Sequence, residues 1–181
     1  SLLLRNHAGE VCLPGGMREE TDESYEETAR RETFEEVSLD ASSIAETERL
    51  EPLSTLTGIT VHPVIARSHR LYHNLSPHPD EVAAITWIPL ENFLSEEHHS
   101  FYTHGEYIVH VFQFPDHPDV TVFGLTANIL ILTAMRVLQR LPAFDLNPSL
   151  PREEISQLKP DQLIDRFYKH YYTIFPMANK L

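Results

Sequence analysis

Three glutamates, Glu32, Glu35 and Glu36, stand at i, i+3 and i+4 within Arg31-Glu32-Thr33-Phe34-Glu35-Glu36-Val37. On an α-helix that spacing sends all three carboxylates out of one face within a single turn. Exposed like charges placed so repel by roughly a few tenths of a kcal/mol per pair, and a cation held between them would relieve the repulsion. An all-oxygen donor set favours hard ions such as Mg²⁺ or Mn²⁺ over zinc. Such an ion can neutralise a phosphate ester and acidify a water molecule, which makes hydrolysis of a phosphate-containing substrate the chemistry to test. Taken alone, the three residues equally describe a solvated acidic helix face.

The elements around them must therefore decide. Ser24 to Val37 favours helix, with Glu26–Arg30 and Glu27–Arg31 as i,i+4 pairs in the Glu-first order. A short strand at Val11 to Leu13 leads into Pro14-Gly15-Gly16, a turn whose glycines let backbone approach closely. Strands are predicted at Glu48 to Thr57, Thr60 to Ser68, Glu81 to Ile88, Tyr107 to Phe114 and Val120 to Phe123, with a turn at Pro115-Asp116-His117-Pro118. Thr126 is placed to cap a helix to about Leu141 with apolar positions Ile129, Leu132, Met135, Val137 and Leu138. Pro142, Pro148, Pro151 and Pro160 punctuate the remainder of the chain, where Asp161 to Tyr171 is an amphipathic helix candidate. The pattern is α/β, read as a domain over residues 1–141 and a helical extension over 142–181.

Charge and composition narrow the function. The net charge of −13, from 27 acidic against 14 basic residues, excludes the clustered Lys and Arg that bind nucleic acid, and equally a basic membrane-binding face. A polyanionic substrate would need divalent cations between itself and so acidic a chain. The single cysteine, Cys12, cannot close an intrachain disulfide, consistent with a reducing compartment. The eleven histidines show no metal-ligand spacing, and His98-His99 reads as part of a solvated loop.

The segment from Gly16 to Leu39 resembles the Nudix signature, G-x5-E-x7-R-E-U-x-E-E-x-G-U with U aliphatic. Arg31, Glu32, Glu35, Glu36 and Leu39 match it directly, and Glu23 matches the upstream glutamate with six residues rather than five after Gly16. Thr33 and Ser38 replace the aliphatic residue and the final glycine. The resemblance implies an α/β/α sandwich around a mixed central sheet. It also implies that Glu32, Glu35 and Glu36 hold Mg²⁺ or Mn²⁺, with the Gly16 carbonyl as a further ligand. Glu23 and Arg31 would pair to brace the loop against the helix. Either Glu32 or Glu81, in Pro79-Asp80-Glu81-Val82, is the expected general base.

Three further segments are similar to the coenzyme A diphosphatase branch of that family. They are Leu4-Arg5-Asn6-His7-Ala8-Gly9 before the Leu-Pro-Gly-Gly turn, Thr57-Gly58-Ile59-Thr60-Val61-His62-Pro63-Val64, and Gly124-Leu125-Thr126-Ala127. The resemblance implies hydrolysis of coenzyme A to 3′,5′-ADP and 4′-phosphopantetheine, with Arg5 and His7 contacting the nucleotide phosphates. Alternatives are another nucleotide substrate (an oxidised nucleoside triphosphate, a dinucleotide or a nucleotide sugar) or a catalytically silent Nudix-fold binding module. The closing Asn179-Lys180-Leu181 resembles the Ser-Lys-Leu peroxisomal address without its serine, so peroxisome is expected ahead of cytosol or mitochondrion. Nudix domains place a strand or two before the segment that starts here at Ser1, so a longer natural protein is expected. An uncovered sheet edge at that front would favour a homodimer.

Overall fold

The computed structural model describes residues 10–55, 57–69, 75–105, 107–146 and 152–176. They divide between two compact units, Ser1–Leu50 with His62–Trp87 and Glu51–Val61 with Ile88–Leu181. All strand pairings among the described residues are antiparallel. No helix among them is long and apolar enough to cross a membrane.

In the first unit, α1 (Tyr25–Val37) begins where Ser24, held extended at φ −147°, accepts the Glu27 amide on its hydroxyl. It ends at Ser38, forced into the left-handed region at φ 59° with its amide donating to the Phe34 carbonyl at 2.9 Å. A Cβ disfavours that conformation, so glycine is the residue the position suits best. Thr33, where the signature has an aliphatic residue, turns its hydroxyl back to the Ala29 carbonyl at 2.6 Å. A turn at Ala41–Ser43, capped by Asp40, leads into β1 (Ile44–Arg49), which pairs with β4 (Val64–Ser68) from Ile44↔Ser68 to Arg49↔Val64, with a shift of register between Ile44 and Glu46.

The second unit holds β2 (Leu53–Ser54) against β3 (Thr60–Val61), and the three-stranded sheet of β5 (His99–His104), β6 (Tyr107–Phe114) and β7 (His117–Phe123). It also holds α2 (Gly124–Leu138), α3 (Arg152–Ile155) and α4 (Pro160–Ile174). Gly124, at φ 62°, turns the chain from β7 into α2. Ala127, Ile131, Leu132, Ala134 and Met135 are buried along α2, as are Leu163, Phe167 and Tyr171 of α4. Phe112 of β6 is fully buried, with Phe93 edge-on at 5.1 Å. Three tyrosines of α4 fasten the 51–54 segment through their hydroxyls: Tyr168 donates to the Glu51 carbonyl, Tyr172 to Pro52 and Tyr171 to Ser54.

Several sequence expectations change. Val11 to Leu13 carries no strand, and Glu48 to Thr57 is not continuous: β1 stops at Arg49, and Leu53–Ser54 pairs in the other unit beyond Pro52, which has no ladder donor. Glu81 to Ile88 forms no strand, because the Glu81 and Val82 amides fold back to the His78 carbonyl and the segment finds no ladder partner. His99 opens β5 instead of lying in a solvated loop, stacked at 3.7 Å on Phe144. α2 starts two residues before Thr126, with Phe123 as its unassisted N-cap, and Val137 is exposed.

His99 and His110 form a relay across β5 and β6. The His110 Nε2–H donates to the Leu146 carbonyl at 3.2 Å, so its Nδ1 accepts from His99 Nε2 at 2.9 Å, and both rings are neutral. Burial pushes both imidazoles down to about 4 from 6.5. The unfolded chain therefore binds more protons than the folded one between those values, and the stability present above 6.5 is lost as pH falls through the window. The denaturation midpoint is expected to drop between pH 6.5 and 4 in wild type and to drop less in His110→Phe. Equal profiles in urea titrations would show that this pair is not the acid-labile element.

Candidate active site

The carboxylate face of α1 is assembled by two segments that dock on it. The first is the Gly15–Gly16 turn, close enough that a Cβ built on Gly16 would lie within 2.7 Å of the carboxyl carbon and both oxygens of Glu32. Any side chain at Gly16 would displace Glu32, while the Gly15 amide donates to Glu36. The second is the 76–82 turn, which satisfies the last carbonyls of the helix: the Ser76 amide donates to Val37 at 3.1 Å and the His78 amide to Glu36 at 2.8 Å. The Glu81 and Val82 amides close onto the His78 carbonyl, and this turn brings Glu81 into electrostatic range of Glu36.

Arg31 ties the loop to the helix. Its Nε and Nη2 donate to the two oxygens of Asp22 at 3.2 and 3.1 Å, and Nη2 also reaches the Met17 carbonyl at 3.1 Å. Its Nη1 lies between Glu32 at 2.9 Å and Glu35 at 3.1 Å. Asp22 is only 6% exposed and further accepts the Glu19 amide and the Thr28 hydroxyl, each at 2.9 Å. Hydrogen bonds from Arg31, above all, hold its carboxyl far below the usual carboxylate range.

The expected brace between Glu23 and Arg31 is thus corrected: the partner is Asp22. Glu23 instead gives its amide to the Glu27 carboxylate at 2.6 Å. Asp22 follows Gly16 with the five intervening residues of the general signature, but eight rather than seven residues separate it from Arg31, and its side chain is shorter; Glu23 keeps the seven-residue gap to Arg31. The buried seat beside Thr28 leaves little room for a longer side chain. In the sequence, residue type and the gap to Arg31 both favour Glu23, and only the distance from Gly16 favours Asp22.

Glu32, Glu35, Glu36 and Glu81 come together electrostatically. Burial first, then Glu32, and to a lesser degree Glu81 and Glu35, push the Glu36 carboxyl up to about 7, against the lowering effect of the Gly15 amide. Burial and the nearby Glu36 and Glu10 also raise the Cys12 thiol, which makes it a poor thiolate nucleophile. Among the described residues no three acidic, histidine or cysteine side chains converge tightly enough to enclose an ion in this conformation. The Arg31 guanidinium occupies the space between Glu32 and Glu35. The donor chemistry, all carboxylate and carbonyl oxygen around an under-compensated negative charge, suits a hard divalent cation. Arg5 and His7 lie outside the described residues.

The NUDIX domain model matches residues 1–105. The chain belongs to the Nudix family. It is 36% identical over 172 residues to the peroxisomal coenzyme A diphosphatase ndx-8 of Caenorhabditis elegans, covering 93% of this chain and 71% of that protein. It is 39% identical over 164 residues to the chloroplastic Nudix hydrolase 22 of Arabidopsis thaliana, covering 87% of this chain and 54% of that one. To the peroxisomal coenzyme A diphosphatase NUDT7 of Mus musculus the identity is 32% over 166 residues, with 82% and 69% covered. As a Nudix hydrolase the protein cleaves a phosphoanhydride bond and depends on divalent metal.

The loop brace gives a direct test. Asp22→Asn is expected to lower the melting temperature and to cost roughly 10–100-fold in diphosphatase activity, the range typical of residues that orient metal ligands. Glu23→Gln should stay within about twofold of wild type, since its carboxylate makes no contact with Arg31. The reverse ranking in parallel rate and melting measurements would restore Glu23 as the partner.

Proposed function

We propose that this Nudix hydrolase cleaves the diphosphate bridge of coenzyme A or a coenzyme A derivative, yielding 3′,5′-ADP and 4′-phosphopantetheine or its acyl form. The observation that carries the reading is the likeness over 93% of the chain to a coenzyme A diphosphatase, supported by a carboxylate cluster whose charge a divalent cation would balance. Glu32, Glu35 and Glu36, with the Gly16 carbonyl, would hold Mg²⁺ or Mn²⁺. The ion supplies charge neutralisation at the diphosphate and a lowered pKa for water.

The side chains around it have separate tasks. Glu81, presented by the 76–82 turn, accepts the proton of the attacking water, with Glu32 as the alternative base. Asp22 and Arg31 hold the Gly16 loop and keep Glu32 oriented. Arg5 and His7 donate to the nucleotide phosphates. The peroxisomal names of the two diphosphatase relatives support a peroxisomal location, alongside a chloroplastic plant relative.

Mass spectrometry of products from coenzyme A with Mg²⁺ tests the reading against a panel of nucleoside triphosphates, dinucleotides and nucleotide sugars. Wild type should release 3′,5′-ADP only when metal is present. Glu36→Gln should lose most turnover while keeping its melting temperature, and Glu81→Gln should lower kcat by roughly 10²-fold or more with KM little changed. Preferred turnover of another panel member would replace the substrate, and an active Glu36→Gln would overturn the site.

A further inference from the structure

Arg18, like Arg30, stands apart from the carboxylate-paired arginines among the described residues of its unit. Arg31, Arg49 and Arg67 each lie against carboxylates, at 2.9 Å from Glu32, 2.9 Å from Glu26 and 3.1 Å from Glu46 respectively. Arg18 instead spends its Nε and Nη2 on the Asp22 carbonyl at 3.1 and 2.8 Å, with a longer contact from Nη2 to the Glu23 carbonyl at 3.3 Å. Its guanidinium carbon sits 5.6 Å from the Tyr25 ring centroid, and that ring stacks on His62 at 3.7 Å and 10°. Among the described residues it pairs with no carboxylate, and Nη1 keeps both N–H donors. A guanidinium held by backbone carbonyls and an aromatic ring has already lost most of its rotamer freedom, so a ligand that takes the remaining donors costs little further order.

Its position relative to the carboxylate cluster is set by helix geometry. Tyr25, Glu32 and Glu36 stand at i, i+7 and i+11, so both glutamates lie within about 20° of Tyr25 around α1, one to either side. The Arg18–Tyr25–His62 stack therefore shares the stripe that carries Glu32 and Glu36, about 10 Å nearer the helix N-terminus. Arg30, also outside any carboxylate pair among the described residues, lies about 160° around the helix from Glu32 and bonds the Ala41 carbonyl at 3.4 Å. With the diphosphate at Glu32 and Glu36, a nucleotide running along this stripe would bring its ribose toward Arg18.

The geometry points to Arg18 as the specificity-determining residue that recognises a monophosphate on the substrate ribose, through the free N–H donors of Nη1. This deepens the coenzyme A reading and rests on it, because coenzyme A carries a ribose 3′-phosphate beside its diphosphate. An arginine donor pair facing two phosphate oxygens favours the phosphorylated ribose over a bare hydroxyl, and the acidic surroundings of Glu19, Glu20 and Glu23 penalise other anions that lack such a fixed partner.

Two measurements on wild type, Arg18→Gln and Arg18→Lys test it. The first is kcat/KM with Mg²⁺ for coenzyme A and for dephospho-coenzyme A. The second is calorimetric binding of 3′,5′-ADP and of 5′-AMP, which needs no turnover. Arg18→Gln should lose about tenfold or more on coenzyme A, mainly in KM, and similarly in affinity for 3′,5′-ADP, with under twofold change for the two ligands lacking the 3′-phosphate. Arg18→Lys should recover part of the discrimination and also serves if the glutamine variant does not fold. Equal losses on both members of each pair would make Arg18 a loop brace, and no loss on either would leave it without a role; both overturn the proposal. If wild type hydrolyses neither coenzyme, the coenzyme A reading fails, while the 3′,5′-ADP and 5′-AMP comparison still decides whether Arg18 reads the phosphate.

Discussion

One guanidinium sets the electrostatics of the carboxylate face. Arg31 is the cation that makes it possible to gather Asp22, Glu32 and Glu35 around a single helix turn and a glycine loop, because its planar fork serves all three at once. Bidentate pairing to a buried aspartate fixes the plane of the fork, and the remaining nitrogen is then directed at the two glutamates. Glu36 is left without a share of this cation. Its high proton affinity comes first from burial and then from the neighbouring Glu32, and a hard divalent ion is the natural complement.

The loop and the helix depend on each other through small residues as much as through charge. Gly16 is tolerated against Glu32 only because it has no side chain, and Ser38 accepts a left-handed backbone at the other end of α1 so that the 76–82 turn can reach the last carbonyls. The outcome is a helix whose carboxylate stripe is bordered by Gly15–Gly16 on one flank and Glu81 on another. On the proposed reading, hydrolysis of a diphosphate would draw its metal ligands and its base from this stripe, since the substrate itself contributes only negative charge.

The second unit is ordered by aromatic packing and by hydrogen bonds from His99, His110 and the α4 tyrosines, although the buried His170 Nε2 finds no partner among the described residues. Phe93, Phe112 and Phe144 fill the space beside β6, while neutral His99 and His110 hand one hydrogen bond on to the Leu146 carbonyl. The α4 tyrosines convert a segment with little strand of its own into a held backbone by capping three of its carbonyls. Leu163, Phe167 and Tyr171 make α4 part of this unit's core, a role that its amphipathic pattern suggested and its position after four prolines obscured.

The sequence by itself determined the catalytic vocabulary: the spacing of Glu32, Glu35 and Glu36, the glycine turn before them, α1 with its Ser24 cap, and β6 were all legible because they depend on neighbours within a few residues. Only tertiary structure decided what those neighbours meet. Asp22 replaces Glu23 because burial and the direction of Arg31 choose the nearer carboxylate, and neither is written into a motif. Glu81 to Ile88 has strand-like residues without a ladder, and His99 to His104 has a ladder without a strand-like signature, because pairing depends on whether a partner strand lies alongside, as β6 does for β5. Local chemistry is read from short-range spacing, whereas partner choice is settled by which groups the folded chain removes from water together.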